Sequence, residues 1–172
     1  NIYQFAPRSG VYPYFSRKIG LQSGNPIPIL YGGRIIGKIG KVEIAAQQVK
    51  TRKTDLVNSE DFSVLRLKQN FLKESSIGIL YTRRHTTNGE QLTEPLQDRN
   101  TFGIDLTLNT SSFLSNQNLQ FQAFAIMHNP ESPNDLNNSK WDRSARGLRF
   151  NFPNQPWSGS LSYREFGNSY DP

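Results

Sequence analysis

This chain consists of stretches of alternating hydrophobicity joined by connections. Along the sequence, a short connection is followed by a long one, and this order repeats. Short ones fall at Gly40-Lys41, Lys73 to Ser75, Ser112 to Gln117 and Pro153 to Pro156, and long polar ones at Thr51 to Asp61, His85 to Asn100 and Asn129 to Asp142. Successive connections between antiparallel strands lie at opposite ends of a sheet, so the alternation predicts one tight rim and one rim of long loops. That asymmetry is typical of bacterial outer-membrane β-barrels.

The stretches between these connections repeat with a period of two, which indicates β-strands. In Thr101 to Asn109, every second residue from Phe102 to Leu108 is apolar, as expected of a strand with one apolar face. In Asn118 to His128 the pattern fades, because glutamines on the polar face give way to Phe124 and Ile126. About nine strands of about ten residues, near the length that crosses a bilayer at a tilt, are predicted at Tyr12 to Gly20, Pro28 to Ile39, Val42 to Val49, Ser63 to Leu72, Ser76 to Arg84, Thr101 to Asn109, Asn118 to His128, Leu148 to Phe152 and Trp157 to Arg164.

The predicted fold class is therefore all-β, an antiparallel transmembrane β-barrel segment that forms part of a larger barrel. Residues 1–172 are expected to form a single barrel region, an internal piece of a longer chain. The alternative from the same pattern is a soluble β-sandwich that serves as a binding or adhesion module.

The amino-acid composition limits the kinds of site and ligand that are expected. The chain has no cysteine, which excludes disulfides, thiol catalysis and thiolate metal sites. It carries 20 basic against 14 acidic residues, a net charge of +6, which suits nucleic acid, anionic headgroups or an anion-selective interior, or is simply a solvated surface. Nucleic acid is disfavoured because the basic residues are spread over many strands instead of clustering on one element.

The strand pattern assigns a direction to several basic residues. A charge on the lipid face of a barrel costs about 2–4 kcal/mol at the bilayer midplane, so charged residues between apolar ones are expected to face the lumen. The lumen-facing candidates are Arg34, Lys38, Arg66, Lys68, Arg149 and Arg164, with Asp105 as one of few acidic companions. They predict either a lumen that favours anions, acidic saccharides among them, or internal ion pairs with acidic residues from strands that are missing from this sequence.

Catalytic, metal and cofactor sites are not predicted. The two histidines, His85 and His128, lie at strand-to-loop junctions without the spacing of a zinc site or a nucleophile elbow. Asp135 to Ser139 resembles the opening of a calcium loop, but lysine and arginine stand where such a loop needs glycine and glutamate. The paired acids Glu60-Asp61 leave one enzymatic alternative open, an outer-membrane-associated hydrolase.

Short motifs extend over nearly the whole chain: Tyr14-Phe15-Ser16-Arg17-Lys18-Ile19-Gly20, Ile27-Pro28-Ile29-Leu30-Tyr31-Gly32-Gly33, Ile36-Gly37-Lys38-Ile39-Gly40, Ser63-Val64-Leu65-Arg66-Leu67-Lys68, Ser75-Ser76-Ile77-Gly78, Tyr163-Arg164-Glu165-Phe166 and Tyr170-Asp171-Pro172. In order and spacing they resemble a family of unknown function, the C-terminal outer-membrane β-barrel region of bacterial proteins that carry an N-terminal family-9-like carbohydrate-binding module. Arg17-Lys18 departs from the two arginines usual there. The resemblance brings no catalytic residues with it.

The resemblance implies a bacterial outer-membrane location and a channel or scaffold role linked to glycan binding or uptake. The expected partners are outer-membrane lipid, a saccharide or anionic solute, and other proteins of a membrane complex, with no nucleic acid and no cofactor.

Overall fold

The computed structural model describes residues 2–14, 19–22, 25–54, 58–87, 98–129 and 139–170 of the 172. These residues are built from β-strands and connections, which confirms the all-β prediction. Among them, no helix is long and apolar enough to span a membrane. The described residues form ten strands: β1 (Leu21–Gln22), β2 (Asn25–Pro26), β3 (Ile29–Ile39), β4 (Val42–Thr51), β5 (Glu60–Phe71), β6 (Ser75–Thr86), β7 (Asp98–Phe113), β8 (Gln117–His128), β9 (Ser144–Pro153) and β10 (Ser158–Phe166).

Strands β3 to β10 form a single antiparallel sheet in which each strand pairs with the next along the chain. The connections follow the predicted alternation. Those after β3, β5, β7 and β9 are short and lie at one end of the sheet, the tight rim, and those after β4, β6 and β8 are longer and lie at the other end, the long-loop rim. The sheet is open, with β3 and β10 at its two edges. That this sheet forms part of a larger transmembrane barrel therefore stays a prediction.

One predicted strand differs from the structure. Of the stretch from Tyr12 to Gly20, residues 12–14 and 19–20 are not in a strand, and residues 15–18 lie outside the described residues. The described sheet thus has eight strands instead of about nine, and the two-residue strands β1 and β2 pair only with each other. The physical reason is local: Pro13 and Gly20 interrupt regular alternation in this stretch, and residues 2–14 pack against the sheet instead of joining it.

Register fixes which residues share a face of the sheet, because directly paired residues on neighbouring antiparallel strands point the same way. One row crosses all eight strands through Lys38, Glu43, Lys68, Gly78, Asp105, Phe124, Gly147 and Arg164. A neighbouring row on the opposite face crosses them through Ile39, Val42, Gln69, Ile77, Leu106, Ala123, Leu148 and Tyr163. The first face is called the covered face and the second the apolar face.

The hydrophobic core lies on the covered face, although that face carries most of the charges. Residues 2–14, the N-terminal segment, lie over it and contribute Phe5, Ala6 and Val11 to the core. The sheet contributes the apolar residues that interrupt its polar pattern: Val64, Leu80, Phe124, Ile126 and Ala145. The fading alternation in β8 is thereby explained, because Phe124 and Ile126 are apolar where the N-terminal segment excludes water.

Candidate functional site

The candidate site is the covered face together with the N-terminal segment that lies on it. Phe5 is the main anchor of the segment, with its ring 6.2 Å from that of Phe124 in an edge-to-face arrangement. The ring fits because β7 has a glycine beneath it: a Cβ on Gly103 would lie 2.7 Å from the Phe5 ring. The segment and the sheet are therefore matched in shape at this point.

A buried ion pair lies beside this anchor. The Arg66 guanidinium donates to both carboxylate oxygens of Asp105, at 2.5 and 3.0 Å, and its side chain is only 1% exposed. It also donates to the Gln4 carbonyl oxygen at 3.4 Å and lies over the Phe5 ring at 5.8 Å. Gly78 leaves the space that the guanidinium occupies, since a Cβ there would lie 2.5 Å from it. Arg66 thus joins β5, β7 and the N-terminal segment.

The structure places all six predicted basic residues on the covered face. Arg34 and Lys38 lie on β3, Arg66 and Lys68 on β5, and Arg149 and Arg164 on the last two strands. They do not form one cluster. Arg66 is neutralised by Asp105, and Arg164 donates to the Ser9 carbonyl oxygen at 2.9 Å.

The other four predicted residues, namely Arg34, Lys38, Lys68 and Arg149, form no ion pair with the described residues. The carboxylates on the covered face of the described strands are Glu43, Glu60 and Asp105. Glu60 is paired with Arg84, and Glu43 accepts a hydrogen bond from Asn70 at 2.7 Å. Positive charge therefore exceeds negative charge on this face, and internal ion pairing neutralises only part of it.

A cavity opens between the N-terminal segment and the sheet near the tight rim. Its volume is about 240 Å³. The segment contributes Pro7 and Arg8, and β7, β8 and β9 contribute Arg149 and several carboxamide side chains. A smaller adjoining space of about 40 Å³ shares Arg8, Gln122 and Arg149 with it and adds Arg164. Three arginines thus surround one recess.

Two tyrosines pack together within the N-terminal segment. The rings of Tyr3 and Tyr14 lie 5.4 Å apart. Burial raises the pKa of Tyr14 to about 12, the neighbouring Tyr3 adds to the rise, and Arg34 opposes it. Burial also raises the pKa of Tyr3 above its ordinary value. Both rings are therefore neutral at physiological pH, and the segment remains apolar where it meets β3.

The residues weighed for catalysis do not converge. Glu60 and Asp61 are neighbours on β5, so they point to opposite faces: Glu60 binds Arg84, whereas Asp61 accepts hydrogen bonds from Gln48 at 3.2 Å. The two carboxylates therefore do not form the acid pair on which the hydrolase alternative was based.

The histidines also lie apart from one another. The ring nitrogens of His128, which is buried, lie 2.9 and 3.0 Å from the carbonyl oxygens of Asn129 and Ser169. His85 is part-exposed, 3.6 Å from Asp98. Of the stretch Asp135 to Ser139, which is not predicted to be a calcium loop, residues 135–138 lie outside the described residues, as do Phe15 to Lys18 and Asp171-Pro172 of the family motifs.

Comparison of the chain with models of protein families, with curated proteins and with solved structures finds no match in any of the three. The family resemblance therefore stays a prediction. Sequence reasoning missed the N-terminal segment as part of the site, together with Arg8 and the carboxamides of the cavity. The one available signal was the change from glutamine to Phe124 and Ile126 on β8, which indicates that something covers part of the polar face.

Proposed function

We propose that this chain forms a wall of a bacterial outer-membrane β-barrel, with its apolar face toward lipid and its covered face toward an aqueous lumen. The role is that of a channel or scaffold. One observation carries the proposal: the apolar face is exposed across the sheet, whereas the N-terminal segment covers the opposite, charged face. A soluble two-layer protein places its extra layer over its apolar face, since burial of apolar surface drives folding.

The extent of the apolar face supports contact with lipid. Ile79, Phe102 and Leu148, on three different strands, are each more than 40% exposed. Exposed large apolar residues occur on this face in every strand of the sheet except β4, whereas soluble monomers rarely expose contiguous apolar patches larger than a few hundred Å². On β8 the apolar row runs from Leu119 to Met127, which is about 27 Å along the strand at about 3.4 Å per residue. With the usual tilt this approaches the apolar band of outer-membrane barrels, about 25 Å tall.

The ends of the apolar face carry groups suited to a membrane interface. At the long-loop rim, Trp141 is exposed and the Arg146 guanidinium lies 4.3 Å from its ring centroid. Arg146 also pairs with Glu165, which accepts a hydrogen bond from the Tyr163 hydroxyl at 2.6 Å. At the tight rim, Trp157 is 79% exposed. Aromatic residues at both ends of an apolar band are typical of membrane-spanning barrels.

Spin labelling tests the proposal, because the chain has no cysteine and a single introduced one reports from a single site. Ile79→Cys places a nitroxide on the apolar face of β6, and Thr82→Cys places one on the covered face of the same strand. In lipid vesicles we expect the label at 79 to be relaxed by oxygen and shielded from a water-soluble nickel complex, and the label at 82 to show the opposite preference.

Equal access of the nickel complex to position 79 in vesicles and in buffer would contradict the proposal. So would recovery of the folded chain in buffer alone, which would favour the soluble binding module. The link to glycans rests on the family resemblance, and labelling does not bear on it.

A further inference from the structure

The cavity between the N-terminal segment and the tight rim has the chemistry of an anion site. Arg8 and Arg149 line it, and none of its described lining residues carries a carboxylate. Arg149 forms no ion pair with the described residues, and its Nε atom is buried without a hydrogen-bond partner among them. Buried donors in folded proteins nearly always have an acceptor. An acceptor for this donor would lie beside two positive charges, so a negatively charged oxygen suits the position best.

Carboxamide groups surround these arginines. Asn109, Gln120, Gln122 and Asn151 line the cavity. Asn151 donates to the Gln120 side-chain oxygen at 2.9 Å, which orients both amides and leaves the Gln120 amino group and the Asn151 oxygen for other partners. Each amide presents both donors and acceptors. A ligand that only carried charge would leave these groups unused, whereas one with hydroxyl groups would use them.

We propose that this cavity binds a small hydroxyl-rich ligand that bears a carboxylate or another oxyanion, as an acidic sugar does. Arg149 and Arg8 bind the anionic group, and the carboxamides bind hydroxyls. The cavity is somewhat smaller than the roughly 300–1,000 Å³ of sites for drug-sized ligands, which matches a single sugar ring. The inference rests on the proposed function only in that the covered face borders water.

The site is shared between two parts of the fold, which has a consequence for the N-terminal segment. Arg8 belongs to the segment and Arg149 to the sheet, so a ligand that bridges them binds the docked arrangement better than the undocked one. By linkage, ligand then favours docking of the segment. Arg8 is exposed in the docked segment, so tryptic cleavage after Arg8 reports on the arrangement.

Calorimetric titration of the whole chain in detergent micelles tests the site, with glucuronate as probe and glucose and acetate as comparisons. We expect glucuronate to bind at least tenfold more tightly than either. Arg149→Gln should weaken glucuronate binding by about tenfold or more, as expected for loss of a charge-assisted hydrogen bond. Arg52→Gln is the matched control, because it removes the same charge from an exposed side chain at the opposite rim and should leave binding unchanged.

Comparable affinity for glucose, no binding of glucuronate, or an equal loss in Arg52→Gln would overturn the inference. If Arg149→Gln does not fold, Arg8→Gln replaces it, because Arg8 is exposed and lies outside the sheet. Glucuronate should also slow tryptic cleavage after Arg8 in the unmodified chain, and unchanged cleavage at saturation would count against a shared site. Failure of the spin-label test would leave these results standing, since binding is measured in micelles and needs no bilayer.

Discussion

Replacement of Asp105 by asparagine should be among the most damaging conservative changes in this chain. The substitution removes the charge that holds Arg66, whose guanidinium donates two hydrogen bonds to that carboxylate at 2.5 and 3.0 Å. What remains for the guanidinium is the neutral amide oxygen of the new asparagine, the Gln4 carbonyl at 3.4 Å and the Phe5 ring at 5.8 Å. Removing one partner of a buried pair costs about 3–5 kcal/mol, a large share of the usual unfolding free energy of about 5–15 kcal/mol.

Denaturant unfolding in detergent micelles, followed by circular dichroism, measures this loss. Asp98→Asn is the matched control, because Asp98 faces Arg83 and His85 with its side chain 52% exposed, and exposed pairs contribute at most about 1 kcal/mol. The double variant Arg66→Met/Asp105→Leu should regain most of the stability, since it leaves no unpaired charge behind. A loss for Asp105→Asn no larger than that for Asp98→Asn would refute the argument that the N-terminal segment buries this pair.

Two further changes test the segment itself. Gly103→Ala places a methyl group 2.7 Å from the Phe5 ring and should release the segment, seen as faster proteolysis of residues 2–14; Gly37→Ala, where nothing lies within 4 Å of the added carbon, should leave proteolysis unchanged. The raised pKa of Tyr14 means that the docked segment keeps its proton longer than an undocked one. The contribution of Tyr14 to docking should therefore be constant below pH 10, the ordinary tyrosine value, and be lost as pH rises toward about 12; absorbance titration should show a late tyrosinate step that is smaller in Tyr14→Phe.

The sheet could be predicted from the sequence because its determinants are local. Period-two alternation assigned residues to faces, and it placed residues as far apart as Arg34 and Arg164 on the same one. The N-terminal segment could not be predicted, because its packing depends on contacts distant in sequence. Arg66 lies 62 residues from Gln4 and Arg164 lies 155 residues from Ser9, and neither arginine differs in local pattern from the unpaired Lys68. The cavity could not be predicted either, because the N-terminal segment forms one of its walls.

The two edge strands of the sheet have unpaired backbone groups, which matter if the sheet lies in a membrane. Strands β3 and β10 each have one neighbour, and nearly all their residues are exposed. In water an unpaired edge is a liability for aggregation, but in hydrocarbon each unpaired backbone group costs several kcal/mol. If lipid covers the apolar face as proposed, both edges must therefore pair with strands, either with each other or with strands outside this sheet. No proline lies near the centre of either edge strand to block such pairing, and the one charged residue there is Arg34 on β3. Arg34 points to the covered face, where it would remain in water after the edge has paired.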